Sequence, residues 1–66
     1  MFSEKTKSVI NSIKQFGQNR KGVIRVYFPD ETFRDISAQE ISELTFKDFA
    51  EIALELDSDK IAVVRL

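Results

Sequence analysis

The feature that most constrains this chain is a change of hydrophobic period within residues 8–28, SVINSIKQFGQNRKGVIRVYF. The apolar residues of its first part follow helical spacing: Val9, Ile10, Ile13 and Phe16. After Gly22 apolar side chains occur at every second position, which is the pattern of a strand. A helix with one apolar stripe and a strand with one apolar face are expected to pack against each other.

The helical pattern predicts a helix over residues 3–16. Ser3 is the expected N-cap, because its hydroxyl can accept from a free backbone N–H of the first turn. Glu4 follows it and favours the positive end of the helix dipole. Gly17 comes directly after the last periodic residue, where a left-handed residue commonly ends a helix. We therefore expect the helix to stop before Gly17.

The alternating pattern predicts a strand over residues 23–28, followed by a hairpin. Arg25 and Tyr27 share one face of this strand with Val23. Residues 29–32, PDET, carry turn residues, so a second strand is expected over 33–36. In a four-residue loop Phe28 and Phe33 would flank the turn and pair across the strands.

Two hydroxyl residues downstream are each followed three positions later by an acid, as in a capping box. Ser37 with Glu40 is expected to open only a short turn. Thr45 with Asp48 is expected to open a helix over residues 46–56. Residues 61–66 then predict a last strand that is apolar on both faces, which indicates a central strand or an interface.

Together these elements predict a single compact α+β domain spanning residues 1–66, with an N-terminal helix, a β-hairpin, a second helix and a C-terminal strand. We expect a small three-stranded sheet with the helices mainly on one face. A right-handed crossover would run the last strand parallel to the second and beside the first. The chain has no Cys and no His, so apolar packing must stabilise it, and six Phe predict a core of large side chains.

The charge is unevenly distributed along the chain. Residues 1–28 hold six cations and one anion, whereas residues 29–66 hold four cations and ten anions. The basic half suggests nucleic-acid binding, and segment 21–28 partly matches the strand signature of RNA-recognition domains. Val23 and Arg25 occupy the positions where that signature needs stacking aromatic rings, so membership in that family is excluded.

The residues that most enzymes and metal sites use are missing. No His or Cys is present, and the only glycines, Gly17 and Gly22, cannot form a phosphate-binding loop. Glu55, Asp57 and Asp59 form at most a loose cation site without the pattern of a calcium loop. We expect a non-enzymatic protein with no catalytic residues, no metal and no cofactor.

The favoured hypothesis is a small protein-interaction or regulatory module, with self-association into a homodimer or larger homo-oligomer as its simplest form. The candidate interaction surface comprises Arg20, Lys21, Arg25, Tyr27, Val64 and Leu66. Two alternatives remain: weak nucleic-acid binding through the basic half, and an acidic surface that inhibits a nucleic-acid-binding protein. No apolar run approaches the ~20 residues of a membrane span and no signal peptide is visible, so we expect a cytoplasmic protein.

Overall fold

An N-terminal helix, a three-stranded antiparallel sheet and two further helices make up a small α+β fold in the computed structural model, which describes residues 2–19 and 21–66. The elements along the chain are α1 Glu4–Asn19, β1 Val23–Tyr27, β2 Phe33–Ser37, α2 Ala38–Ser42, α3 Phe46–Asp57 and β3 Val63–Arg65. The helices cover one face of the sheet, as predicted, and the other face is open.

The strand order is β2-β1-β3, and β1 pairs antiparallel with both neighbours. The last strand therefore runs parallel to the second and lies beside the first, as the crossover argument predicts. Of the two alternatives predicted for it, a central position or an interface, the first is wrong, because β3 is a three-residue edge strand and β1 is the central strand. The apolar character of residues 61–66 is explained by Ile61, which is buried outside the strand, and by Val64, which packs against the core.

The first helix begins as predicted but does not end at Gly17. The Ser3 hydroxyl accepts from the backbone N–H of Thr6 at 3.1 Å, as an N-cap does. The helix then continues through Gly17 to Asn19. A Cβ on Gly17 would lie 2.5 Å from Ile41 Cγ2, so this position is glycine because α2 approaches α1 closely there.

The hairpin turn forms, but its register differs from the predicted one. Glu31 N–H donates to the Phe28 carbonyl, and Phe28 N–H donates to the Thr32 carbonyl, which leaves a three-residue loop. Glu31 adopts a left-handed conformation with φ of 71°. This is the turn followed by a left-handed residue that closes three-residue hairpins. The predicted pairing of Phe28 with Phe33 is therefore wrong, and Tyr27 is the partner of Phe33.

Both predicted caps form. Ser37 accepts from Glu40 N–H, and the resulting α2 is a five-residue helix rather than only a turn. Thr45 and Asp48 form a reciprocal capping box at the start of α3. Phe46, the first residue of α3, is 86% exposed and takes no part in the core.

The core is aliphatic rather than aromatic. Its buried cluster comprises Ile10, Ile13, Phe16, Ile24, Ala38, Ile41 and Ala53. Among residues 2–19 and 21–66, Phe16 is the one buried phenylalanine, and Phe2 and Phe49 are partly buried against the cluster. The large side chains of the core are therefore mainly isoleucines, and most of the six Phe contribute little to it. Over the described ranges 2–19 and 21–66, no helix is both long and apolar enough to cross a membrane.

Candidate interaction surface

The open face of the sheet, called the outer face here, presents two cross-strand rows. Tyr27 on β1 is the direct partner of Phe33 on β2 and of Val63 on β3. Arg25 is in the same way the partner of Asp35 and of Arg65. Directly opposed residues point to the same side of a sheet. The outer face therefore carries an apolar row, Phe33–Tyr27–Val63, and a charged row, Asp35–Arg25–Arg65.

The apolar row is exposed to solvent, although large apolar side chains of this type are usually buried in protein cores. Phe33 is 52% exposed and Val63 is 50% exposed. Tyr27 lies half-buried between them, with its ring centroid 6.0 Å from that of Phe33. Val23 is also exposed, at 55%, but the charged row separates it from the apolar row. A contiguous exposed apolar patch rimmed by charges is typical of a protein-interaction site.

The charged row is internally paired on one side. Arg25 donates from Nε and Nη2 to the two carboxylate oxygens of Asp35, at 2.8 and 3.2 Å. The Asp35 carboxylate raises the pKa of Arg25, and this guanidinium lowers the pKa of Asp35. The Arg25 guanidinium also lies 4.0 Å from the centroid of the Phe33 ring, and Arg65 lies over Tyr27 at 5.7 Å. Each arginine of the charged row thus lies over one ring of the apolar row.

The structure separates most of the predicted surface residues. Arg25 and Tyr27 lie together on the outer face, at the centre of its two rows. Lys21 is exposed at the end of the sheet before β1, and Leu66 is exposed beside the end of α1. Val64 points to the opposite, inner face and packs against the core. Arg20 lies outside the described residues.

The residues that sequence reasoning missed are Phe33, Asp35, Val63 and Arg65. The predicted pairing of Phe33 with Phe28 shifts β2 by one residue and would place Phe33 on the face of Ile24 and Val26, which is the inner face. No local signal places Phe33 correctly, because the left-handed residue of the loop is Glu31, and glutamate does not favour this conformation. Val63 and Arg65 share one face of β3 by parity, but only the pairing of β3 with β1 brings them opposite Tyr27 and Arg25.

Of the three acids near the end of α3, Asp57 has a structural role. Asp57 Oδ1 accepts from the Thr6 hydroxyl at 2.5 Å and from the Ser3 hydroxyl at 3.1 Å. Both hydrogen bonds lower the pKa of Asp57, and the one from Thr6 has the larger effect. They fix the end of α3 to the start of α1. Within residues 2–19 and 21–66, no three acidic side chains lie close enough to hold a metal ion.

Comparisons with models of protein families, with curated proteins and with solved structures give no match for this chain. Inferences about its function therefore rest on its own residues.

Proposed function

We propose that this protein is a small non-enzymatic interaction or regulatory module that binds another protein chain through its outer face, a second copy of itself in the simplest case. The observation that carries the proposal is the apolar row Phe33–Tyr27–Val63, which crosses all three strands with no helix over it. Covering this row would remove exposed apolar surface from water, at about 25 cal/mol per Å².

A second copy fits because the outer face is self-complementary. A two-fold axis parallel to β1 places β2 of one copy over β3 of the other, since β2 and β3 flank β1. Phe33 then meets Val63 of the second copy. Asp35 meets Arg65 of the second copy in the same arrangement. The two apolar rows then cover each other next to the charged rows. Each charged row gains two opposite-charge contacts, while Arg25 faces Arg25 of the second copy at the axis.

The size of the surface predicts a weak complex. Two strands of five residues and one of three, about 4.8 Å apart, make a face of at most roughly 15 by 17 Å. Stable complexes bury about 800 Å² on each partner, several times this area. Self-association is therefore expected with a dissociation constant on the order of 100 µM.

Sedimentation velocity over a concentration series tests the proposal. The wild-type weight-average mass should rise toward that of a dimer between about 10 µM and about 1 mM. The Phe33→Thr/Val63→Thr double variant keeps strand-forming residues but removes the apolar row, and it should stay monomeric. The matched control, Phe46→Gln/Leu54→Gln, removes two exposed apolar residues of α3 and should behave as wild type. A wild-type protein that is monomeric throughout, or a double variant that associates equally well, would overturn the proposal.

Nucleic-acid binding, the alternative through the basic half, has less support from the geometry. Arg25 donates to both carboxylate oxygens of Asp35, so the cation at the centre of the basic strand is already paired and is less available to a phosphate. A mobility-shift assay at low salt compares wild type with the Arg20→Ala/Lys21→Ala/Arg25→Ala variant. Binding by wild type that this variant loses would favour the alternative.

A further inference from the structure

A recess lies on the inner side of the sheet, between α3 and the strands β1 and β2. It has a volume of about 290 Å³. It exists because α3 packs chiefly against α1 rather than across the sheet, so the part of the inner face near β2 is not fully covered. Its floor is apolar and includes Val26, Phe28, Ile36, Leu44 and Ile52. This recess is called the inner cleft below.

The rim of the inner cleft is acidic. Four carboxylates line it, from Glu40, Asp48, Glu51 and Glu55, against a single cation, Arg34. Asp48 is engaged in the cap of α3. The side chains of the other three acids have no hydrogen bond and no cation within ion-pair distance among residues 2–19 and 21–66; the ion pairs found there are Lys7–Glu4 and Arg25–Asp35.

The acids of α3 are arranged along one side of the helix. Asp48, Glu51 and Glu55 follow the i, i+3, i+7 spacing, so they form a line roughly 10 Å long beside the apolar floor. A helix whose cations recur at the same spacing beside an apolar stripe would match this line charge for charge. Its apolar side chains would enter the cleft.

We infer that the inner cleft docks a basic amphipathic helix of a partner protein. Its volume is at the lower end of the roughly 300–1,000 Å³ of small-molecule sites, so it suits a few inserted side chains rather than a cofactor. The acidic rim repels phosphate groups, which excludes a nucleic acid as the occupant. A second copy of the described chain does not fit either, because its lysine-bearing helix α1 already buries its own apolar stripe.

The test measures binding of a fluorescent leucine–lysine peptide of about 18 residues, which forms about five turns of amphipathic helix. The Glu40→Gln/Glu51→Gln/Glu55→Gln variant removes three rim charges without changing side-chain shape. It should bind about tenfold more weakly than wild type. The control, Glu31→Gln/Glu43→Gln/Asp59→Asn, makes the same change of net charge away from the cleft and should bind within about twofold of wild type. Thermal melts of both variants check that they fold.

Amide shift mapping by NMR supplies the second measurement. On addition of the peptide the largest shifts should fall on Ile36, Leu44 and Ile52. The inference is overturned if the wild-type protein does not bind the peptide, or if both variants lose peptide affinity equally. It is also overturned if the amide shifts are confined to Val23 and Val63. The Phe33→Thr/Val63→Thr variant should still bind the peptide, so failure of the outer-face proposal and failure of this one are distinguishable.

Discussion

Tyr27 and Phe33 are direct cross-strand partners whose ring centroids lie 6.0 Å apart on the uncovered face of the sheet. This pairing depends on the three-residue loop between β1 and β2. One more residue in that loop would pair Phe33 with Phe28 and turn the ring toward the core. The backbone conformation of Glu31 therefore decides whether the outer face carries an apolar row.

The first prediction concerns this loop. Glu31 has φ of 71°, a left-handed conformation that costs a residue with a Cβ about 1 kcal/mol. Glu31→Gly should raise the free energy of unfolding by up to about 1 kcal/mol, whereas Glu31→Gln keeps the strain and should change it by less than about 0.5 kcal/mol. Urea unfolding followed by circular dichroism measures both. A lower stability for the glycine variant would show that the turn does not need this conformation.

The sequence predicts the elements of this fold better than their contacts. Helical and alternating periods place α1, β1 and α3 within a few residues, and capping chemistry marks Ser37 and Thr45. The end of α1 is mispredicted because Gly17 serves packing rather than termination. Helix-ending patterns depend only on nearby residues. The residue that requires glycine at position 17 is Ile41, which is more than twenty positions away along the sequence.

The candidate surface is predicted only in part for the same reason. Arg25 and Tyr27 are recognisable from strand parity within β1 alone. Asp35, Val63 and Arg65 join them only through the register of two strand pairs, which local sequence patterns do not determine. The inner cleft could not be predicted from local patterns, since it depends on α3 packing against α1 rather than across the sheet.

Gly17 supplies the second prediction. In an isolated helix Gly→Ala is stabilising by about 1 kcal/mol, but here the new Cβ would lie 2.5 Å from Ile41 Cγ2. Overpacking should dominate, so Gly17→Ala should lower the free energy of unfolding by about 1–3 kcal/mol. Ser8→Ala, at an exposed site of the same helix, should be neutral or slightly stabilising.

A double-mutant cycle with Ile41→Ala tests the cause. Removing the Ile41 side chain should relieve the clash, so the Gly17→Ala/Ile41→Ala pair should be less destabilised than the sum of its single variants. Simple additivity would mean that the two residues do not touch.

The third prediction concerns acid. The hydrogen bonds from Thr6 and Ser3 lower the pKa of Asp57 in the folded state. The unfolded chain then binds more protons, so the stabilisation is present above the ordinary pKa of about 3.9 and is lost as pH falls below it. Asp57→Asn should lower the urea midpoint of unfolding at pH 7. Between about pH 4 and pH 2 the midpoint of this variant should decrease less than that of the wild type.

Asp59→Asn is the matched control, because Asp59 is an exposed carboxylate without a side-chain hydrogen bond within residues 2–19 and 21–66. It should leave both the midpoint and its pH dependence close to wild type. Equal effects from the two variants would show that the link between α3 and α1 does not depend on Asp57.

The fourth prediction uses opposite charges across the proposed dimer. The Asp35→Lys and the Arg65→Glu variants each place like charges opposite one another in a homodimer, so each should associate at least about threefold more weakly than wild type. Mixed in equal amounts they should associate again, since both contacts of the mixed dimer join opposite charges. The Glu43→Lys and Lys60→Glu pair, away from the outer face, serves as the control. A mixture as weak as its components would rule out the two-fold arrangement.

Intermolecular contacts measured by isotope-filtered NOE spectroscopy test the central proposal most directly. Isotope-labelled and unlabelled protein are mixed at about 1 mM, roughly ten times the expected dissociation constant. We predict NOEs between the Phe33 ring of one copy and the Val63 methyl groups of the other. The proposed dimer is contradicted if no intermolecular NOE appears at that concentration, or if the intermolecular contacts involve Phe46 and Leu54 of α3 instead.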